Sequence, residues 1–303
     1  MKIYTIIVIY NGMRHNWIKK CFDSVLSSSI PVNIVAVDNN SADESVKYIR
    51  ESYPAVHLIE NNENKGFGGA NNQGLKYALD QNTEYFFLLN QDAWVEHNTI
   101  EELVKHTRQN TDYGIVSPMH YNGKGNALDY MFSRYIAPER CKNIYSDFVV
   151  QNVNNTIYES GFICAAAWLI TKKTMEVVGG FSPTFYHYGE DDNYVQRLLY
   201  KGLKIGVLPT VKIYHDRENR PSQPVNDYKP KELALKFSSP NRNKSYIETY
   251  IKQLQFKLLK NTIFGRKIGN DLIKKELCFL KKNKDTIIEN LEKSQSTNTF
   301  LFL

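Results

Sequence analysis

The chain has 303 residues, of which 42% are apolar and 23% charged, the composition of a globular protein with a substantial core. No apolar run reaches the roughly 20 residues needed to span a bilayer, and the first residues lack a signal-peptide cleavage site, so we expect a cytoplasmic protein. Four scattered cysteines without a CxxC pair favour buried free thiols over a zinc or disulfide site.

The net charge of +6 is unevenly distributed along the chain. Residues 229–284 contain 15 Lys and Arg against 4 Asp and Glu, so this segment carries +11 and the remainder about −5. A basic segment of this kind suits a nucleic acid or an anionic membrane surface. We expect no nucleic-acid partner and keep membrane contact as an alternative.

Strands and helices alternate through the first third of the chain. The predicted strands are residues 2–9, 32–37, 56–59 and 85–89, and the predicted helices are 15–26, 41–51, 68–79 and 99–108. Ser41 and Glu44 have the spacing of a capping box at the start of the second helix. The alternation predicts an α/β fold with a mostly parallel, Rossmann-like sheet flanked by helices.

The pattern changes after about residue 117. Residues 119–157 lack periodicity and predict a long, partly ordered excursion. A buried strand is then predicted at 161–170, helices at 172–178 and 190–200, and two short strands at 205–208 and 212–214. Residues 217–240 contain four prolines and predict a linker or wrapping arm, followed by basic helix over 245–291.

Polar residues follow three of the predicted strands. Because ligands bind at the carboxyl ends of strands in open α/β sheets, we expect these residues to share a pocket. Asp38 is suited to accept hydrogen bonds from a base or ribose, and Asp92 to hold Mg²⁺ or Mn²⁺. Each alone could equally be a turn or capping residue. The three clusters are Tyr10-Asn11, Asp38-Asn39-Asn40-Ser41 and Asn90-Gln91-Asp92.

A glycine-rich segment, NKGFGGANNQG, covers residues 64–74. Glycines at a strand-to-helix turn let the backbone approach a ligand, and Asn71 can bond ribose or phosphate. The segment follows the third strand rather than the first, and Asn71 replaces the last glycine of a dinucleotide fingerprint. A dehydrogenase is therefore not favoured.

Three acids, Glu190-Asp191-Asp192, begin a predicted helix after the aromatic run Tyr186-His187-Tyr188. The helix dipole explains part of this pattern. A partly dry environment would also raise a carboxylate pKa towards that of a general base. Arg197 could orient the acids or contact phosphate, and His215 could complete a metal site or be structural.

Taken in order, the segments VIYN, VAVDNNSAD, NKGFGGANNQG, FFLLNQD, GGFSPTFYHYGEDDNYVQRLLYKG and IYHD resemble the inverting family 2 glycosyltransferases of the GT-A fold, especially bacterial rhamnosyltransferase-like members. The resemblance covers about residues 2–216. It implies that Asp191, in the Glu190-Asp191 pair, is the catalytic base and that Asp92 is the carboxylate of the metal motif. Arg197 and His215 match supporting positions near the diphosphate, and we expect Asp92 and His215 to hold the metal. Asn90 stands where many relatives have Asp, which suggests weaker metal dependence. The implied nucleotide-binding residues are Tyr10, Asn11, Asp38, Asn40, Lys65, Gly66, Asn71, Asn90 and Gln91.

The resemblance implies inverting transfer of a sugar from a UDP- or dTDP-linked donor to a hydroxyl of a glycan or lipid-linked acceptor. The expected setting is bacterial surface polysaccharide synthesis, in the cytoplasm or at the inner face of the plasma membrane. It divides the chain into a catalytic domain (1–216, with nucleotide and acceptor parts meeting near 117), a linker (217–240) and a basic helical tail (241–303). A sugar nucleotidyltransferase and a non-catalytic nucleotide-sugar-binding protein remain alternatives.

Two functions are open for the tail. Its apolar residues could meet anionic lipid or a lipid-linked acceptor. Alternatively they form a helical pair packed on the catalytic domain or against a second subunit in a homodimer, which we favour because amphipathic helices usually bury their apolar stripe in protein. The residues concerned are Leu254, Leu258, Ile263, Leu272 and Phe279.

Overall fold

A computed structural model describes residues 1–217, 230–265 and 269–303. The strands are β1 (Ile3–Ile9), β2 (Asn33–Asp38), β3 (His57–Glu60), β4 (Tyr85–Leu89), β5 (Ala93–Val95), β6 (Tyr113–Asn122), β7 (Tyr158–Ser160), β8 (Ala167–Thr171) and β9 (Lys204–His215). The helices are α1 (Trp17–Leu26), α2 (Ser45–Ser52), α3 (Gly66–Asp80), α4 (Thr99–Gln109), α5 (Tyr130–Tyr135), α6 (Ile144–Val149), α7 (Lys172–Val178), α8 (Glu190–Tyr200), α9 (Pro230–Ser238), α10 (Lys244–Ile263) and α11 (Asn270–Gln295).

The described strands form one nine-stranded sheet in the order β3-β2-β1-β4-β8-β6-β9-β5, with β7 also beside β9. The strands β1 to β4 are parallel to one another, β8 is antiparallel to both β4 and β6, and β9 is parallel to β6. β5 and β7 pair antiparallel with β9. Six strands therefore share one direction, which confirms the mostly parallel sheet that the sequence predicted.

Apolar side chains cover both faces of the central strands. Ile6 and Phe86 belong to one buried cluster, while Ile7 and Phe87 belong to another, because successive side chains of a strand point to opposite faces. Helices α3, α7 and α8 contribute to the first cluster, and α1 and α4 to the second. Burial on both faces explains why these strands are nearly continuous apolar runs in the sequence.

Some element predictions were wrong in detail. Helix α2 begins at Ser45, so Ser41 and Glu44 do not form a capping box; the Ser41 hydroxyl instead accepts the Asn11 N–H at 2.9 Å. The strand predicted at 161–170 is confined to Ala167–Thr171, and the two short strands near 210 are one strand, β9. The start of the predicted excursion, residues 119–122, belongs to β6.

The tail folds onto the rest of the chain. Residues 218–229 of the predicted arm lie outside the described residues, while Pro230–Ser238 form α9. Helices α9, α10 and α11 share an apolar cluster that contains Phe237, Leu254 and Leu280. Asn290 in α11 donates to the Thr184 hydroxyl at 2.8 Å. This packing buries Leu254 and partly buries Leu258 and Phe279, as the favoured alternative for the tail expects, whereas Ile263 and Leu272 stay exposed.

The segment after α11 returns to the helices beside the sheet. Gly180 N–H donates to the Leu301 carbonyl at 2.8 Å, and the Asn72 amide donates to the Phe302 carbonyl at 3.1 Å. None of the described helices combines the length and apolar character that crossing a bilayer requires.

Candidate active site

Hydrogen bonds connect the carboxyl ends of β1, β2 and β4. Tyr10 N–H donates to the Gln91 side-chain oxygen at 3.0 Å, and the Gln91 amide donates to the Tyr10 carbonyl at 2.9 Å. Asn11 is joined to the loop after Asp38, because its side-chain oxygen accepts the Ala42 N–H at 2.8 Å. The three predicted strand-end clusters therefore form one continuous edge.

Asp38 is the buried carboxylate of this edge. Only 3% of the residue is exposed; Oδ2 accepts the Ser41 N–H at 3.0 Å, while Oδ1 is buried without a partner among the described residues. A buried acceptor without a donor is costly, which makes Oδ1 suited to a ligand N–H or O–H. Asn40 next to it is exposed and has a left-handed backbone with φ 68°.

The glycine-rich segment starts α3 rather than forming an open loop. Gly66 has φ 73°, and a Cβ there would lie 1.9 Å from the Tyr186 carbonyl oxygen. Lys65 is exposed and pairs with Glu63. The Asn71 amide donates to the Phe67 carbonyl at 2.9 Å and the residue is 2% exposed, so its amide bonds its own helix. A role of Asn71 in nucleotide binding stays a prediction.

Asn39, a member of the second predicted strand-end cluster, holds this segment against β2. Its Oδ1 accepts the Lys65 N–H at 2.8 Å, and its Nδ2 donates to Asn64 Oδ1 at 2.8 Å. The residue is 3% exposed. Asn39 therefore places the start of α3 beside Asp38.

Asp92, the residue before β5, and His215, the last residue of β9, lie next to each other. His215 Nε2 lies 3.5 Å from Asp92 Oδ1 and 3.4 Å from the Asn90 amide nitrogen, and both Asp92 and His215 are buried. Antiparallel pairing of β5 with β9 sets this contact, because Ala93 is opposite His215. The sequence anticipated this pair from motif resemblance, and the sheet provides the physical reason for it.

Asp129 is the residue of this cluster that the sequence analysis missed. Its Oδ2 lies 3.4 Å from His215 Nδ1 and 3.1 Å from Arg217 Nε, and its Oδ1 accepts the Phe132 N–H at 2.9 Å. Burial alone would raise the pKa of Asp129, but the hydrogen bond from His215 and the charges of Arg217 and His215 hold it well below its usual range. Asp129 lies within residues 119–157, which lack periodicity in the sequence. Its position at the N-cap of α5 was therefore the only local feature that could have pointed to it.

The three acids at the start of α8 have elevated pKa values. Burial, and then the nearby Asp191 charge, raise the pKa of Glu190 to about 7. Burial also raises the pKa of Asp191. This effect outweighs the hydrogen bonds from the backbone N–H groups of Asp192 and Ala165, which lower that pKa. The pKa of Asp192 is raised to about 6, again chiefly by burial. Glu190 is 5% exposed, whereas Asp191 is half-buried and accessible.

Backbone contacts place Asp191 beside the strand-end edge. Asn90 N–H donates to the Ala166 carbonyl at 2.9 Å, and the preceding residue, Ala165, is the backbone donor that lowers the Asp191 pKa. Hydrogen-bonded neighbours thus lead from Asp38 through Tyr10 and Gln91 to Asp191. The segment before β8 therefore lies between the end of β4 and Asp191.

Arg197 does not face this edge, which corrects the expectation that it orients the acids or contacts phosphate. The residue is 1% exposed; Nη1 donates to the Val178 carbonyl and Nη2 to the Gly180 carbonyl, both at 2.6 Å. Its guanidinium lies between the rings of Tyr194 and Phe302, at 5.0 and 5.1 Å. Arg197 points to the opposite side of α8 and has a structural role.

The family model described as "Glycosyl transferase family 2" matches residues 4–177, more than half of the chain. The chain belongs to glycosyl transferase family 2. The same family was named from the sequence motifs, and membership favours a glycosyltransferase over a nucleotidyltransferase or a non-catalytic binding protein. A second model, "N-terminal domain of galactosyltransferase", matches residues 150–219, which include the acids of α8.

Two relatives of this family 2 glycosyltransferase are named as a hexosyltransferase and a rhamnosyl transferase. The low-salt glycan biosynthesis hexosyltransferase Agl10 of Haloferax volcanii is 24% identical over 280 residues, which cover 90% of this chain and 86% of that protein. The dTDP-rhamnosyl transferase RfbF of Shigella flexneri is 23% identical over 216 residues, covering 70% of this chain and 68% of that protein.

Solved structures confirm the GT-A fold of this glycosyltransferase. S. aureus TarS 1-349 in complex with UDP superposes with a TM-score of 0.57 at 12% identity, covering 97% of this chain and 90% of that one. GalNAc-T7 with UDP, GalNAc and Mn²⁺ superposes with a TM-score of 0.58 at 14% identity and covers 93% of this chain. The chain spans only 54% of that protein.

Proposed function

We propose that the chain transfers a sugar from a UDP- or dTDP-linked donor to a hydroxyl of a glycan or lipid-linked acceptor, with inversion at the anomeric carbon. The observation that carries the proposal is the continuous edge from Asp38 through Gln91 to Asp191. Relatives named as a dTDP-rhamnosyl transferase and a UDP-bound protein support the donor class. The hexosyltransferase of low-salt glycan biosynthesis supports a setting in glycan synthesis.

We assign residues 1–216 to catalysis and 241–303 to the tail. In the proposed site, Asp38 Oδ1 accepts a hydrogen bond from the base or ribose of the donor. The exposed Tyr10 and the backbone of Asn11 lie beside it. The cellular location of the reaction stays a prediction.

The residues present fit a divalent ion in part. Asp92 offers a carboxylate and His215 an imidazole nitrogen 3.5 Å away, a spacing that two ligands of one ion can have. No group of three or more His, Cys, Asp or Glu side chains in the described ranges could hold an ion alone. Mg²⁺ and Mn²⁺ sites are commonly completed by substrate phosphate and water. The imidazole favours Mn²⁺ over Mg²⁺, which takes oxygen ligands. When bound, such an ion would neutralise charge on the departing diphosphate.

Asp191 is the proposed general base. The acceptor oxygen forms its bond to the anomeric carbon from the face opposite the diphosphate, while the carbon–oxygen bond to the diphosphate breaks and its electron pair leaves with that group. The acceptor proton passes to Asp191. Its raised pKa makes it a better base than an ordinary Asp. Asp129 acts as a positioning residue that holds His215.

The test is Asp191→Asn, which keeps shape and removes the proton acceptor. Transfer should fall by roughly 10²–10⁴-fold in kcat, while binding of UDP and UDP-sugars in a thermal-shift screen stays unchanged. In the unmodified chain, kcat should rise with pH through a pKa above the ordinary 3.8 of Asp. Near-normal transfer by the variant would remove Asp191 from the mechanism.

A further inference from the structure

Helix α10 has two apolar faces, of which only one packs against protein. Ile247 and Leu254 are 2% and 6% exposed and belong to the cluster shared with α9 and α11. At 100° per residue, Phe256, Leu259 and Ile263 lie on the opposite face. They are 69%, 58% and 70% exposed. A single buried stripe therefore does not account for the apolar residues of this helix.

The exposed apolar surface continues around the end of the α10–α11 hairpin. The Asn261 amide donates to Asn270 Oδ1 at 2.8 Å, which holds the end of α10 against the start of α11. Phe264, just after α10, is 64% exposed, and Leu272, in the first turn of α11, is 48% exposed. We call the surface formed by Phe256, Leu259, Ile263, Phe264 and Leu272 the hairpin tip.

Positive charge surrounds the hairpin tip. Lys252 and Lys260 lie one turn on either side of Phe256 on the same face, and Lys257 lies next to it; all three are exposed. No Asp or Glu occurs between Glu248 and Asp271 in the sequence. Lys257 and Lys260 form no ion pair with a carboxylate of the described residues. The apolar side chains are thus interleaved with cations that other side chains do not neutralise.

We propose that the hairpin tip docks on an anionic membrane surface, with its aromatic and aliphatic side chains in the headgroup layer and its lysines on the lipid phosphates. Large apolar side chains interleaved with lysine on an exposed helix are the combination that interfacial binding requires. Anionic lipid supplies the negative charge that the segment lacks. A second copy of the chain is a poor occupant, because a two-fold contact would bring the same lysines together without acids to pair them.

Docking would set the distance of the candidate site from the bilayer. Helix α10 has 20 residues and is therefore about 30 Å long. Its first turn follows α9, whose last residue, Ser238, accepts a hydrogen bond from the Asn193 amide of α8 at 3.2 Å. The membrane surface would thus lie at the end of α10 that is remote from this contact with α8. The inference does not depend on the proposed transfer reaction.

The experiment is co-sedimentation of the full chain with vesicles of phosphatidylcholine alone or mixed in equal parts with phosphatidylglycerol. The unmodified chain should bind the mixed vesicles, and its binding should weaken steeply between 0.1 M and 1 M salt, where the Debye length falls from about 10 Å to about 3 Å. The triple variant Phe256→Gln, Ile263→Gln, Phe264→Gln should lose at least about tenfold in partition coefficient.

A matched control replaces three equally exposed apolar residues far along the chain: Tyr145→Gln, Val149→Gln and Val150→Gln, which are 62%, 65% and 63% exposed. This control should bind as the unmodified chain does. A second variant, Lys257→Glu with Lys260→Glu, reverses two charges without changing the apolar residues. It should lose about 20-fold or more, at about fivefold for each lysine.

Equal binding by the tip variant and the control would overturn the proposal, as would equal binding of the two vesicle types. Sedimentation velocity without vesicles tests whether a second copy of the chain covers the hairpin tip instead. If the unmodified chain is a dimer that the tip variant converts to a monomer, the tip is a subunit interface. Thermal shift with UDP and with dTDP reports on the donor site separately, so a chain that binds neither nucleotide but still binds vesicles would count against the proposed function alone.

Discussion

Asp129 contacts three groups through its two carboxylate oxygens. One oxygen caps α5, and the other lies near both His215 Nδ1 and Arg217 Nε. The Asp129 carboxylate lies on the Nδ1 side of the ring, while Nε2 faces Asp92. At the scale of the residue, Asp129 therefore helps to hold the orientation of the His215 imidazole.

We predict that Asp129→Asn weakens Mn²⁺ binding by about 10–100-fold, because the amide keeps the α5 cap but no longer orients the imidazole as a carboxylate does. The measurement is free Mn²⁺ by electron paramagnetic resonance during a titration with UDP present. Asp112→Asn, which affects only a surface pair with Lys204, is the control. Unchanged affinity in the Asp129 variant would mean that this carboxylate serves the fold alone.

Glu190 links the pH dependence of stability to the site. Its pKa rises from 4.5 to about 7 on folding, so the folded state holds the proton more tightly than the unfolded state. The free energy of unfolding should therefore fall as the pH rises from about 4.5 to about 7. Above pH 7 the folded chain carries the full cost of the buried charge.

We predict that Glu190→Gln raises the free energy of unfolding by up to about 3 kcal/mol at pH 8 and changes it little at pH 4. Urea unfolding at several pH values measures the difference, with the exposed Glu51→Gln as control. If the Gln variant kept the pH dependence of the unmodified chain, the Glu190 carboxyl would not be the group responsible.

At the scale of the element, the start of α3 depends on a close approach of two backbones. Gly66 adopts φ 73°, and the Tyr186 carbonyl occupies the position that a side chain would need. The segment before α8 therefore packs directly on the first turn of α3. This contact brings the aromatic run and the acids of α8 beside the strand ends.

We predict that Gly66→Ala lowers the free energy of unfolding by more than the roughly 1–2 kcal/mol of left-handed strain, because the Tyr186 backbone must also move. Gly69→Ala is the matched control: its Cβ would meet only the Lys65 Cβ, at 3.2 Å, and Ala favours the helix by about 1 kcal/mol. Chemical unfolding of both variants tests this, and equal stability would contradict it.

At the scale of the whole molecule, the residues after α11 join the tail to α3 and to the segment between α7 and α8. Leu301 is 8% exposed, and its carbonyl accepts the Gly180 N–H. Asn72 donates to both the Phe181 and Phe302 carbonyls. Because these contacts lie in the segment between α7 and α8, the tail stabilises the region that carries the proposed base.

We predict that Leu301→Ala costs about 2–5 kcal/mol of unfolding free energy, the usual effect of removing a buried Leu side chain. Thr299→Ala, at an exposed position two residues earlier, should cost little. Differential scanning calorimetry gives both values. A loss similar in the two variants would mean that this segment contributes no burial to the fold.

The sequence by itself determined those strands and helices that are encoded by patterns of neighbouring residues. Continuous apolar runs mark strands covered on both faces, so β1, β2 and β4 were predicted nearly to the residue, as was α7. The strand-end residues Asp38 and Asp92 were found for the same reason, since chain order fixes the carboxyl end of a strand. Family membership also followed from the order of short motifs.

Only the tertiary structure decided which side chains meet. The pairing of β5 with β9 brings Asp92 to His215, and a segment without periodicity supplies Asp129. Arg197, placed near phosphate by its spacing from Asp191, turns away because α8 is buried on the face that carries it. Local patterns report burial and backbone preference, whereas side-chain partners depend on contacts between residues far apart in the chain.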